Sequence, residues 1–151
     1  MTTRIDVDSD HWPVNIVTVH GTPGTPVEHA AMERMVEVLH SFTRREQPYA
    51  NIIDLTRCPD IPASERQFVA DAFKARHDDY VPYLIAVAVV ISSPVMRGVL
   101  TAIGWIQPYP CPIEFVPSVS QGASKLAPWL ARRGIAWAGL PARAGAPANA
   151  G

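Results

Sequence analysis

The hydrophobic and polar positions of the chain alternate in short runs, and longer stretches with helical spacing separate these runs. The first two, RIDVD and VNIVTVH, have the alternation of strands and are joined by the turn-like SDHWP, so they predict an antiparallel hairpin. The runs ANIIDLT, LIAVAVVIS and IEFV predict three further strands. Because LIAVAVVIS is apolar at consecutive positions, we expect an interior strand that is covered on both faces.

Four stretches with apolar residues at helical spacing follow the second, third, fourth and fifth strands. A residue with a side-chain hydroxyl stands at the expected start of each helix: Thr25, Ser64, Ser93 and Ser118. A Glu or Gln three places further on completes a capping box in every helix except the one that begins at Ser93. There Pro94 is suited to the first helical position. Pro128, within the last helix, should kink or divide it.

The resulting order, β-β-α-β-α-β-α-β-α, indicates one α/β domain. We expect a mixed, mainly parallel five-stranded sheet with an N-terminal β-hairpin and about four helices. This domain should extend over residues 1–137. The remaining segment, 138–151, is rich in Ala, Gly and Pro, and we expect it to be disordered.

Composition and charge limit the classes of protein to which this chain can belong. The chain has 13 Lys and Arg against 14 Asp and Glu, which argues against a nucleic-acid partner. The first residues do not have the pattern of a signal peptide, and no apolar run approaches the roughly 20 residues of a membrane span, so we expect a cytoplasmic protein. Cys58 and Cys111 are isolated, and the five His form no ligand motif. We therefore expect neither a metal nor another cofactor.

Two strand-to-helix junctions, VVISSPVMRGVLTAIG and IIDLTRCPDIP, resemble those of the STAS domain, the fold of bacterial anti-sigma-factor antagonists. The resemblance covers about residues 4–133 and implies a regulatory protein-interaction module. It also implies that a partner kinase phosphorylates a serine at the start of the second helix, and the matching position is Ser64. Pro62, Ala63 and Glu65 depart from the surroundings that the family has there. A cap of the second helix is the alternative role of Ser64.

Six residues are candidates for partner binding or phosphorylation: Ser64, Arg97, Asp54, Thr56, Ser92 and Ser93. Arg97 lies in the first turn of its helix, where a cation opposes the helix dipole, so a carboxylate such as Asp54 or Asp60, a partner or water should compensate it. Asp54, Thr56 and Ser92 should lie at the carboxyl edge of the sheet, where α/β proteins bind ligands. Turn chemistry is the alternative role of Asp54 and the serines.

The chain lacks the motifs of an enzyme, such as a nucleophile elbow or a phosphate-binding glycine loop, which disfavours catalysis. We therefore expect a non-catalytic module that binds a protein, such as a kinase or a sigma-factor regulator, around Ser64 and Arg97. A small-molecule or anion-binding domain, or an enzyme, at the carboxyl edge is the alternative. Trp105, Ile106 and Tyr109 should belong to the core, with an exposed docking patch as the other interpretation.

Overall fold

The computed structural model describes residues 2–141, which form one sheet and its covering helices. The strands are β1 (Arg4–Asp8), β2 (Val14–His20), β3 (Tyr49–Arg57), β4 (Leu84–Val90) and β5 (Ile113–Val116). The α-helices are α1 (His29–Ser41), α2 (Ala63–Ala75), α3 (His77–Tyr80), α4 (Pro94–Ile106) and α5 (Val119–Arg132). A short 3-10 helix, Phe42–Arg45, follows α1.

The strands lie in the order β1-β2-β3-β4-β5, with β1 antiparallel to β2 and every other pair parallel. Both predicted features, the N-terminal hairpin and the parallel pairing of the third and fourth strands, are confirmed. In that pairing Ile53 lies opposite Val89. The strand β4 is an interior strand that is buried at all of its positions, as its continuous apolar sequence predicts.

The sequential strand order decides where the helices lie. Crossovers between parallel strands are right-handed, so successive steps in one direction put all the connecting helices on one face of the sheet. The helices α1, α2 and α4 accordingly share one core with the sheet, and we call this side the helix-rich face. The helix α5 follows the last strand and packs on the opposite side, the α5 face, through Leu126 and Leu130.

Two of the predicted capping boxes are wrong. Helix α1 begins at His29 and not after Thr25, because the Glu28 carboxylate accepts a hydrogen bond from the Thr3 N–H instead of closing a box. Helix α2 has Pro62 at its N-cap, so Ser64 lies inside the first turn and makes no capping hydrogen bond. In both cases the N-cap residue is not the Thr or Ser that the local sequence favours.

The predicted second helix is divided in two, which raises the number of α-helices from four to five. The break falls at Arg76, whose φ and ψ of −116° and 14° are not helical. The Arg76 guanidinium donates to Glu37 of α1 at 2.6 Å. This ion pair joins the end of α2 to the neighbouring helix where the chain changes direction into α3.

The other two predicted caps are confirmed. The Ser93 hydroxyl accepts from the Met96 N–H at 3.3 Å, with Pro94 at the first helical position. The Ser118 hydroxyl accepts from the Gln121 N–H at 3.2 Å. The helix α5 passes through Pro128 without being divided. It ends before Gly134, whose positive φ of 75° suits the left-handed conformation that commonly terminates a helix.

The predicted disordered tail falls largely on residues 142–151, which lie outside the described residues. Among residues 138–141, Leu140 is partly buried and packs against the core of the α5 face. No helix in the described part of the chain is long and apolar enough to cross a membrane.

Loss of the Ser93 cap should lower the stability of the fold. Replacing Ser93 by alanine (Ser93→Ala) removes the acceptor for the Met96 N–H, so we expect a loss of about 1 kcal/mol in the free energy of unfolding. Ser92→Ala is the matched control, because Ser92 is exposed and does not occupy the N-cap. Urea denaturation of the three proteins gives the comparison. Equal losses in both variants would contradict a specific capping role.

Candidate functional site

Two of the residues that were predicted at the carboxyl edge, Asp54 and Thr56, are hydrogen-bonded to each other near the end of β3. One carboxylate oxygen of Asp54 accepts from the Thr56 N–H at 3.0 Å and from the Thr56 hydroxyl at 2.7 Å. Asp54 follows Ile52 by two positions, so its side chain lies on the α5 face. The carboxylate is therefore engaged in a local contact within β3, and its predicted role in partner binding stays a prediction.

Arg97 is exposed in the first turn of α4 and has no carboxylate partner among the described residues. Its guanidinium instead lies 5.1 Å from the centre of the Phe115 ring, a cation–π contact with β5. Neither Asp54 nor Asp60 compensates it. Asp60 instead accepts from the Gly24 N–H at 3.2 Å.

Ser64 and Ser92 are both exposed. Within the described residues, no hydrogen bond or ion pair joins Ser64, Arg97 and Asp54. The sequence therefore places its candidates correctly at strand ends and helix starts, but the structure does not assemble them into one site.

Glu65, the residue after Ser64, belongs to a row of side-chain pairs that join α1 to its neighbours α2 and α3. His29 approaches both carboxylate oxygens of Glu65 at 2.9 Å, and His40 approaches Asp79 at 2.9 Å. The Glu37–Arg76 pair lies between them along α1. One side chain of each pair is more than half exposed, and each pair contributes modestly to stability. Together they fix the position of α1 beside α2 and α3.

A cavity of about 90 Å³ lies between the sheet and the helices of the helix-rich face. Met32 and Met35 of α1, Phe73 of α2 and Ile103 of α4 form its helical walls, and strands β3, β4 and β5 form its floor. Cavities of this size are uncommon in protein cores, which are packed as densely as organic crystals. Asp54, Thr56 and Ser92 are not among the lining residues, so the cavity is not the carboxyl-edge pocket of the alternative hypothesis.

The cavity is apolar, and its aromatic side chains are fixed by contacts with one another. Phe73 packs edge-on against Tyr80 and Tyr109, with ring centroids 6.1 and 6.0 Å apart. The Tyr109 hydroxyl donates to the Leu100 carbonyl of α4 at 2.6 Å. Gly104 makes room for this ring, because a Cβ atom there would lie 2.9 Å from it. Tyr109 therefore holds α4 at a fixed height above the sheet.

The two cysteines also line the cavity. Burial raises the pKa of the Cys58 thiol and of the Cys111 thiol to about 12. Neither sulfur is therefore a thiolate nucleophile at neutral pH. Both cysteines therefore act as small apolar residues of the cavity wall.

The outer side of α4 carries an exposed apolar surface, formed by Val95, Trp105 and Ile106. These side chains are 77%, 82% and 48% exposed, so the expectation that Trp105 and Ile106 belong to the core is wrong. Tyr109, the third member of that predicted cluster, packs against the core. The α4 helix has no acidic residue, and Arg97 is its single charge.

Two asparagines of the helix-rich face were not identified from the sequence. Asn15 and Asn51 are 0% and 1% exposed, and they lie opposite each other in the pairing of β2 with β3. Asn51 lines the cavity. Asparagine is disfavoured in strands, so its presence within VNIVTVH and ANIIDLT is a signal that could have marked both positions.

Comparison with known proteins supports the fold. No family model matches the sequence, and no match to a curated protein is found. Among solved structures, the chain is similar to an uncharacterized protein of the DUF3478 family with a SpoIIAA-like fold from Shewanella loihica PV-4. The identity is 14%, the TM-score is 0.51, and the match covers 83% of this chain and 94% of the other. At this identity the likeness shows the fold alone, and it confirms the resemblance to the STAS type.

The contact between His29 and Glu65, the residue after Ser64, should raise the pKa of His29. The hydrogen bond that His29 donates to the Glu65 carboxylate is the main cause that raises the pKa of His29, and the charges of Glu65 and Glu33 act in the same direction. A raised pKa means that the protonated form stabilises the fold below about pH 6.5, and this contribution is lost as the pH rises through the folded pKa.

We expect an NMR titration to give His29 a pKa above 6.5, and Glu65→Gln to return it towards that value. Glu33→Gln is the matched control, because Glu33 is the more distant carboxylate, at 3.4 Å, and its loss should have a smaller effect. A His29 titration that is the same in the wild type and in Glu65→Gln would contradict the pair.

Proposed function

We propose that this chain is a non-catalytic binding module of the STAS type that takes a small apolar molecule into the cavity of the helix-rich face. The observation that supports this proposal is the cavity itself. Its lining contains no charged side chain, and it lies between the sheet and three helices that different segments of the chain contribute. Pockets of predominantly apolar lining with few polar groups are typical of small-molecule sites.

The energetic argument is that an empty cavity destabilises a core. At roughly 24 cal/mol per Å³, a cavity of about 90 Å³ costs about 2 kcal/mol relative to a filled core. One larger side chain, such as Phe in place of Val89, would remove much of the void. A ligand that fills the space recovers the lost contacts, which supports a binding role for this cavity.

The volume also limits the ligand. An engineered cavity of about 150 Å³ holds benzene, so a ring of that size enters the smaller cavity found here only when the side chains of Met32 and Met35 move. Methionine side chains are flexible and adapt to irregular partners. Benzene is therefore a suitable probe of the cavity.

Benzene should bind to the wild-type protein and perturb the methyl resonances of Met32 and Met35 in NMR spectra. Val89→Phe should abolish this binding, because Val89 is a lining residue and the ring would occupy the void. Val89→Ala is the matched control at the same position, since it enlarges the cavity. We expect it to bind benzene at least as tightly as the wild type, with a loss of stability of roughly 1–3 kcal/mol.

Resonance changes that are the same in Val89→Phe and in the wild type would place benzene elsewhere on the molecule and contradict the proposal. If Val89→Phe does not fold, the comparison of the wild type with Val89→Ala still tests the cavity. Enlargement that leaves binding weaker than in the wild type would count against it.

A protein-interaction role is the second candidate, and the exposed apolar surface on α4 favours it. Trp105 and Ile106 are adjacent at the end of α4, and neighbouring exposed apolar side chains commonly mark docking sites. Because Arg97 is the single charge on α4, the complementary surface would be apolar with an acidic group. The start of α2 around Ser64 offers no such apolar side chains, since Ile61 is buried and Phe68 packs against His29. Phosphorylation of the exposed Ser64 stays a prediction.

Trp105→Ser should remove a protein partner that the wild type retains from a native lysate, since aromatic anchors contribute most to such interfaces. Arg97→Glu should weaken the same interaction by repelling the acidic group. Val7→Ser is the matched control, because Val7 is 45% exposed but lies on β1, away from α4. A partner that binds all four proteins equally would contradict docking through α4.

A further inference from the structure

A pair of buried asparagines gives the helix-rich face a polar centre. The Asn15 side-chain N–H donates to Asn51 Oδ1 at 3.2 Å, and both side chains are at most 1% exposed. A buried amide has two donor hydrogens and two acceptor lone pairs, so one hydrogen bond leaves most of this capacity unused. Buried polar groups are nearly always hydrogen-bonded, and the exceptions need an explanation.

The unused groups belong to three side chains, of which Asn51 lines the cavity. Asn15 Oδ1 and the Tyr49 hydroxyl are buried and have no partner among the described residues. Asn51 lines the cavity, and no hydrogen bond to its Nδ2 is found in the described part of the chain. Tyr49 and Asn51 are two positions apart on β3, and Asn51 pairs with Asn15, so all three side chains lie on the helix-rich face.

The chemistry of the lining excludes an ionised ligand. No Asp, Glu, Lys, Arg or His is among the residues that line the cavity. A charged group that moved from water into this space would lose its hydration without gaining a counter-charge. A neutral hydroxyl, carbonyl or amide, in contrast, can accept from the Asn51 amide while the rest of the molecule contacts the apolar wall.

We infer that the cavity selects an uncharged, mainly apolar molecule with one hydrogen-bonding group, which the Asn51 side-chain amide binds. This inference rests on the proposed apolar-ligand function and extends it to the chemical class of the ligand. Asn51 is the specificity residue, and Asn15 positions its amide through the hydrogen bond to Oδ1. The apolar wall supplies the binding surface that the three helices share.

Three probes that share one aromatic ring separate the contributions. Benzene tests the apolar wall, phenol adds one hydroxyl, and benzoate adds a charge at neutral pH. In a wholly apolar cavity phenol binds worse than benzene, because its hydroxyl loses water without a new partner. With Asn51 available, we expect phenol to bind to the wild type at least as tightly as benzene. Benzoate should bind on the order of a hundredfold more weakly than phenol.

The double variant Asn15→Leu/Asn51→Leu removes both amides and leaves no unpaired partner, which is tolerated better than removal of one. We expect the preference for phenol over benzene to fall by at least about tenfold, the equivalent of one hydrogen bond. Benzene binding in the same variant is the control for the shape of the cavity. In the wild type, phenol should also shift the Asn51 side-chain amide resonances more than benzene does.

The outcomes distinguish the inference from the proposed function. If benzene and phenol bind and their ratio is the same in the wild type and the double variant, the cavity binds ligands but the role of Asn51 is wrong. If neither probe binds to the wild type, the proposed function fails and this inference fails with it. If the double variant does not fold, an Asn51 amide that responds equally to benzene and phenol in the wild type overturns the inference.

Discussion

The burial of β4 on both of its faces is the constraint on which the rest of the structure depends. All seven residues of the strand are buried, so a layer must cover each side of the sheet. Right-handed crossovers in one direction place α1, α2 and α4 on a single side. The opposite side would be open to water if the chain ended after β5. The helix α5 is therefore required by the topology, since it covers the apolar residues that the crossovers leave exposed.

The helices of the helix-rich face and the helix of the α5 face differ in how closely they approach the sheet. The cavity lies on the side where the approach is less close. On the α5 face, small residues allow tight packing: a Cβ atom on Gly122 would lie 3.3 Å from the Cβ of Ala88. On the helix-rich face, bulky rings stand between the helices and the strands. Tyr109 supports α4 from below through its hydroxyl, and Phe73 contacts it from α2. These rings occupy the space between the helices and the sheet, whereas Gly122 and Ala88 allow α5 to approach the strands closely.

Most of the fold could be predicted from the sequence, because strand alternation and helical spacing report burial directly. The runs RIDVD, VNIVTVH and IEFV coincide with β1, β2 and β5. The predicted caps at Ser93 and Ser118 are present, the one at Ser64 is replaced by Pro62, and the one at Thr25 is lost to a long-range partner. Glu28, which should have closed a capping box with Thr25, binds the Thr3 N–H instead, 25 residues away. Local rules cannot include such a partner, since it depends on the position of β1 beside α1.

The candidate site was less predictable than the fold, because its residues are separated in sequence and joined only by the register of the sheet. Asn15 and Asn51 are 36 positions apart and meet because β2 and β3 pair in parallel. The sequence pattern points instead to the strand ends, where ligands of many α/β proteins bind. Here the Asp54 carboxylate is bound to Thr56, while unpaired polar atoms lie beneath the helices. A polar residue in a buried strand lowers stability unless its hydrogen-bonding groups have partners. In this fold, residues in the middle of the sheet are therefore as informative about binding as those at its carboxyl edge.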